Sequence, residues 1–491
     1  MFFERTVKTI VMKNRALYLV MVVILFASAC YQSRHSKGGG QAGADSIRRI
    51  HAPDIILPDG YQSEAIATGL NFPTALTFDD KGNAYVIEAG YSYGEDFNTP
   101  KLLRISDGKT ETIAEGEQNG PWTGIEYHEG NFYIAEGGQR NGGRILKVSP
   151  TGKISTLVER LPGQGDHHTN GPAIHNGYIY FGTGTFTNSG VVGPDNAEFG
   201  WLKRHPDLHD IPCEDIVLNG INFTTDNPLT PAEGDTAVTG AFLPFNTASQ
   251  AGQVIPGRLP CSGAILRIPV NGGKPELVAW GLRNPYGLAF SPQGKLYVTE
   301  NQGDDRGSRP VWGMGDVLWE INPGDWFGWP DFAEGKPIHY FKPPGKHGPS
   351  ALLRDREKKV PKPAAVLAVH SSSNGIDFST SGSFGFAGEA FIAQFGDMAA
   401  GVGKVLKPVG FKVVRVNTET GEINDFAINR GKVNGPASKR GHGGLERPVS
   451  VHFDESGQNL YIVDFGIMLM QKGETRPIRN TGVVWKISKK N

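Results

Sequence analysis

The sequence predicts an all-β protein, a six-bladed β-propeller with long inserted loops, and three observations carry that reading. The first is composition: Gly 66 and Pro 33 make up about a fifth of 491 residues, against roughly 12% in ordinary proteins. Collagen periodicity and low complexity are both missing, so the excess marks turns. With 10% aromatic residues, it points to many short strands. The second is a recurring segment in which a small residue or proline leads into an apolar run, followed by an apolar-aromatic run. Its copies are 72–78 with 82–86, 124–127 with 131–134, 171–174 with 177–181, 284–290 with 294–298, 374–378 with 389–392, and 447–453 with 459–462. The third is a companion strand after each copy: 102–105, 145–148, 265–268, 317–321, 413–416 and 484–487. Six copies of two strand types imply six four-stranded units. Such units cannot bury their faces alone, so they must stack radially.

The propeller spans 53–491 in this reading. Central aromatics stand at Tyr85, Tyr133, Tyr180, Tyr297, Phe391 and Tyr461, spaced 48, 47, 117, 94 and 70 residues apart. The first two blades are therefore bare, and the later gaps hold insertions near 186–262 and 330–370. Inserted loops of this kind crowd one face of a propeller and can shape a pocket there.

The first 29 residues read as a signal peptide: Lys8, Lys13 and Arg15 precede an apolar stretch that closes on Ala27-Ser28-Ala29. Cys30 follows directly, which resembles a bacterial lipoprotein signal and implies acylation at that cysteine. Residues 30–52 lack periodicity and are expected to form a flexible tether. The chain is thus expected to be exported and lipid-anchored in the cell envelope, in the periplasm or at the outer membrane. Two cysteines remain, Cys213 and Cys261, and in an exported compartment they are expected to pair. A net charge of -1 argues against nucleic acid as a partner.

Three places after the central aromatics stand Glu88, Glu136, Thr183, Glu300, Gln394 and Asp464. Four carboxylates in one ring need a cation or hydrogen-bond donors to coexist. Calcium at the channel mouth and carboxylates capping the amides of the neighbouring blade are the two expectations. The densest polar stretch is Asp166-His167-His168-Thr169-Asn170-Gly171, where a histidine could serve as general base. On a strand, His167 and His168 would point to opposite faces. A second stretch joins Arg283-Asn284-Pro285 to Glu300-Asn301-Gln302-Gly303-Asp304-Asp305 and Asp316, and ends in Gly328-Trp329-Pro330.

These motifs together resemble the soluble pyrroloquinoline-quinone (PQQ) glucose, aldose-sugar and sorbosone dehydrogenases, loosely over residues 60–487. The resemblance implies PQQ and Ca²⁺ as cofactors. It makes His168 the catalytic base, and Gln118, Arg283, Asn284 and Arg447 cofactor contacts. Glu300, Gln302, Gly303, Asp304 and Asp316 match the calcium loop. One family arginine is replaced by Leu445, and an arginine common after the histidine motif by Pro172. The implied reaction oxidises a sugar hydroxyl and passes electrons to an external cytochrome or quinone. Two other classes fit the same fold: a calcium-dependent lactonase-type hydrolase, and a non-catalytic surface propeller that binds glycan or protein.

Overall fold

A computed structural model describes residues 46–354, 359–398, 405, 407–471 and 474–490. The segment expected to be a signal peptide, and Cys30, lie outside the described residues. Among those described, no helix is long and apolar enough to cross a membrane.

Six antiparallel sheets form six blades. Blade one is Pro73–Phe78, Ala84–Glu88, Lys101–Ser106 and Lys109–Glu115. Blade two is Trp122–His128, Asn131–Glu136, Gly143–Val148 and Ile154–Leu161. Blade three is Thr169–His175, Tyr178–Thr183, Ala264–Pro269 and Glu276–Trp280, and blade four is Pro285–Phe290, Leu296–Glu300, Gly315–Ile321 and Ala365–Val369. Blade five holds Ser373–Phe378, Ala390–Gln394, Lys412–Val416 and Ile423–Asn429, widened by Ile55–Ile56. Blade six is Pro448–Phe453, Asn459–Asp464 and Gly482–Lys489, and its outer strand is the N-terminal Tyr61–Leu70. That last pairing closes the ring between the two ends of the chain, a closure the repeat count alone did not reveal.

The first strand of each blade lies against the first strand of the next, from blade one round to blade six and back. The apolar cores lie between blades. Ala75, Tyr85, Ile87 and Leu102 of blade one meet Trp122, Ile125, Phe132 and Ile134 of blade two. Phe391, Val413 and Phe426 of blade five meet Val451, Leu460 and Trp485 of blade six. Each blade thus buries both faces on its neighbours, which is why the sheet must close on itself.

Residues between Thr183 and Ala264 carry the short helices Pro194–Glu198 and Trp201–Arg204 and two hairpins. Cys213 and Cys261 form a disulfide across this segment. The tether ends earlier than expected. Arg48 is drawn into blade six, bonding Asp464 at 2.8 Å and Glu446 at 3.2 Å and facing the Trp485 ring.

The ring of residues at the ends of the second strands is closed by hydrogen bonds within each blade. Glu88 accepts from the Asn71 amide (2.7 Å), and Asp464 from the amides of Glu446 (2.9 Å) and Arg447 (2.8 Å). Glu136 accepts from Trp122 Nε1, Glu300 from Trp319 Nε1 and Asp464 from Trp485 Nε1. The carboxylates therefore cap the entry to their own blade, not the neighbouring one. Each satisfies orphan donors that burial would otherwise penalise.

Candidate active site

A cavity of about 200 Å³ opens on the propeller axis. The second residue of every innermost strand reaches its wall: Thr74, Thr123, Asn170, Tyr286, Asn374 and Val449. Segments outside the repeat complete it. They are the Tyr91–Tyr93 turn, the Phe199–Trp201 segment of the first insertion, the loop from Asn301 to Arg306, and the Met468–Thr475 hairpin.

Asp166, His167 and His168 all lie on this wall. Strand alternation does not separate the two histidines, because the strand starts only at Thr169. They sit in the preceding bend, which crosses Gly184 so closely that a Cβ there would lie 2.2 Å from His167 Cβ. Burial lowers both imidazoles, His167 to about 3 and His168 to about 4, so both are neutral near pH 7.

Their hydrogen bonds differ. His167 Nδ1 lies 2.9 Å from the Thr185 carbonyl, which can only accept, so Nδ1 carries the proton and Nε2 keeps its lone pair. That Nε2 is 3.5 Å from Asp166 Oδ2. His168 Nε2 is 2.6 Å from the Gln139 side-chain amide. With the amide turned so that its oxygen accepts from Trp201 Nε1 (2.5 Å) and Arg204 Nη2 (3.2 Å), its nitrogen donates to His168 Nε2. The basic nitrogen of His168 is then occupied.

Opposite the histidines stand two guanidiniums. Arg283 Nη2 is 3.2 Å from Asp304 Oδ2 and 3.5 Å from Asp166 Oδ2. Its Nε and Nη2 also donate to the carbonyl and side chain of Asn188, at 2.9 and 2.8 Å. Arg306 contacts Asp166, lies 3.3 Å from Asp304 and 2.5 Å from Asp195. His370 Nδ1 is 3.2 Å from Asp304 Oδ1, and its pKa is raised because Asp304 outweighs burial. Burial alone would raise Asp166 and Asp304. Arg306, His167 and Arg283 reverse this for Asp166, and Arg283, His370 and Arg306 for Asp304, so both stay ionised well into the acid range. A chain of amides runs beside them: Asn170 donates to Asn284 (3.1 Å), Asn284 to Asn301 (3.0 Å), and Asn301 to the Ser373 carbonyl (2.8 Å).

Of the predicted site residues, the structure brings His168, Arg283, Asn284, Gln302, Asp304 and Asp316 to the cavity. Gln118 is exposed and accepts from Arg140 instead, because the turn buries its neighbour Asn119 against Glu136. Arg447 is buried but absent from the wall. Its Nη1 donates to the carbonyls of Phe395, Gly396 and Asp397, and its guanidinium lies between the rings of Phe395 and Phe411. Glu300 caps the Arg283 amide and accepts from Trp319 and Gln302 behind the wall.

The carboxylates expected in the calcium loop are engaged by donors of the chain itself. Asp316 accepts from the Gln302 and Ser373 amides and the Ser371 hydroxyl, and Asp304 faces three cationic side chains. Among the described residues no three His, Cys, Asp or Glu side chains are grouped to hold a metal.

Sequence reasoning missed Arg306, His370, Trp201 and the tyrosines. Arg306 adjoins the very loop that was singled out, but the family pattern gave it no role. His370 and Trp201 come from or border insertions that carry no repeat.

Residues 219–404 match the model of the glucose/sorbosone dehydrogenase family, which bears out the resemblance over that segment. The chain is similar in structure to the holo form of the pyranose dehydrogenase PQQ domain from Coprinopsis cinerea. They share 15% identity at a TM-score of 0.51, covering 91% of this chain and 99% of that one. It is also similar to a calcium structure of a Carbohydrate-Active Enzymes family AA12 protein from Trichoderma reesei. Here identity is 17% and the TM-score 0.50, covering 91% of this chain and 99% of the other. At these identities the likeness establishes the propeller fold. No curated protein matches the chain in sequence.

Proposed function

We propose that this chain is a PQQ-dependent dehydrogenase that oxidises a sugar hydroxyl in the axial cavity. The observation that carries this reading is the convergence of two neutral imidazoles and two guanidiniums on one enclosed wall, within and beside a segment that matches the sugar dehydrogenases.

The donor set fits a planar polycarboxylate. Arg283 and Arg306 line the cavity and can each offer a charged N–H to a carboxylate, Asn170, Asn284 and Asn301 can meet ring carbonyls, and Tyr286, Phe395, Met398 and Phe465 provide largely apolar walls. When bound, the quinone supplies an electrophilic carbon able to take hydride from a carbinol. All proton handling then falls to the chain. His167 Nε2 accepts the hydroxyl proton, because its lone pair is free and its tautomer is fixed by Thr185. Asp166, 3.5 Å away, stabilises the imidazolium that forms. His168, the base implied by the resemblance, instead supports the wall through Gln139. Asp304 and Asp316 are the carboxylates that the resemblance offers to calcium, and reconstitution with and without the ion tests that role.

A lactonase-type reading would need a ring of free carboxylates, and that ring is closed on backbone amides and indoles. The leader sequence and Cys30 support export on a lipid anchor, with electrons leaving to a soluble or membrane-bound acceptor. The test is reconstitution of the purified mature protein with PQQ, with and without Ca²⁺, followed by dye reduction against a panel of aldoses. A quinone absorption band that a sugar bleaches is expected. Binding of sugar without bleaching would favour the glycan-binding propeller.

A further inference from the structure

We infer that Arg306 is the second guanidinium that grips the cofactor's carboxylates beside Arg283, the role the family resemblance assigns to Arg447. This assignment rests on the PQQ reading above. Arg447 is spent: three backbone carbonyls take its Nη1 protons and two aromatic rings enclose it. Turning it to the cavity would strand those buried carbonyls, each a cost with no return. Leu445, where the family keeps another arginine, is fully buried and apolar. Among the described residues, the entry of blade six therefore brings no cation to the cavity wall.

Arg306 stands on the cavity wall and shares two carboxylates, Asp166 and Asp304, with Arg283. Two guanidiniums that converge on the same oxygens are already spaced to hold one polyanion between them. Arg306 can leave Asp166 without stranding a buried charge, since Asp166 Oδ2 also faces the Arg283 guanidinium at 3.5 Å. Its other end stays anchored on Asp195 at 2.5 Å, and Asp195 does not line the cavity. The following residue is what brings the loop down onto Asp195. Gly307 has φ +75°, and a Cβ there would lie 2.8 Å from both Asp195 carboxylate oxygens. Released from Arg306, Asp166 keeps Arg283 and stands beside His167, the neighbour that gains a proton in the proposed step.

The experiment is PQQ titration of the mature protein, followed by quenching of tryptophan fluorescence, with Trp201 on the cavity wall as reporter. Arg306→Gln should weaken PQQ binding about 30-fold or more, as expected for loss of one partner of a buried ion pair. Arg447→Lys should stay within about threefold of wild type, a difference under 1 kcal/mol. Thermal melts check folding. If Arg306→Gln does not fold, Arg306→Lys decides: weaker binding supports the assignment, because lysine keeps charge but not the fork, and unchanged binding overturns it. A wild type that binds while Arg306→Gln binds equally well overturns Arg306 alone. A wild type that takes up no PQQ overturns the cofactor reading and Arg306 with it.

Discussion

Two sets of buried carboxylates lie a few residues apart in this propeller and behave in opposite ways. Those at the ends of the second strands, Glu88, Glu136, Glu300 and Asp464, recur with the blade repeat and accept from backbone amides and indole N–H groups at the entry of their own blades, with Arg144 added on Glu136 and Arg48 on Asp464. Asp166 and Asp304 stand outside the repeat and face side chains of the cavity wall: Arg283, Arg306, His167 and His370. The first set holds strands in place. The second set holds charge ready for a ligand. A residue that repeats in every blade answers a need every blade shares, so the chemistry specific to one cavity must come from residues that do not repeat.

The largest expected effect separates the two histidines. His167→Ala should cut sugar-dependent turnover by roughly 10²–10⁴-fold with PQQ affinity little changed. His168→Ala, which loses the Gln139 hydrogen bond and the ring contacts with Tyr91 and Tyr93, should cut it by less than about tenfold. Steady-state dye reduction reads both, and a reversed order would return the base to His168.

Next in size is the loss of a strand-end cap. Asp464→Ala leaves the amides of Glu446 and Arg447 and the Trp485 indole without their acceptor, and strips Arg48 of a partner. Stability should fall by about 2–4 kcal/mol, read by chemical denaturation. Asp304→Asn, at the cavity, should cost less stability and more cofactor affinity. Equal stability losses in the two variants would erase the distinction.

The disulfide tests whether the non-repeating region is also the less self-supporting one. Cys213→Ser should lower stability by roughly 2–4 kcal/mol in the chain-entropy model. Proteolysis should then cut first within the insertion between Thr183 and Ala264. Cleavage starting in blades one or two would contradict this.

The smallest effect is a difference of sign. Burial raises the Glu300 pKa to about 7 from 4.5. Between those values the folded chain keeps a proton the unfolded chain has lost, so Glu300 weakens stability as pH rises through that window. Asp304 is depressed, so its contribution is present above its ordinary pKa of 3.8 and fades as pH falls toward the lower folded value. Melting curves from pH 4.5 to 7 should flatten in Glu300→Gln and keep their slope in Asp304→Asn.

The sequence by itself determined the six blades, because each blade repeats the same apolar-aromatic segment and companion strand, and local pattern is enough to mark a strand. It also determined the cysteine pair, the two insertions, and the place of Arg283 and Asn284, whose motif sits at a fixed point of blade four. Only the tertiary structure decided the rest. That Tyr61–Leu70 completes blade six depends on the chain's two ends meeting, which no local signal encodes. The inward turn of Asn119 in place of Gln118, the capture of Arg447 by three carbonyls, and the selection of His167 Nε2 over His168 Nε2 each depend on a hydrogen-bond partner supplied by a different segment. Arg306 acquires its role from Asp195 and Asp166, residues 111 and 140 positions away. Residue type and spacing say what a side chain can do, whereas its charge state, tautomer and free lone pair are set by neighbours brought together only when the ring closes.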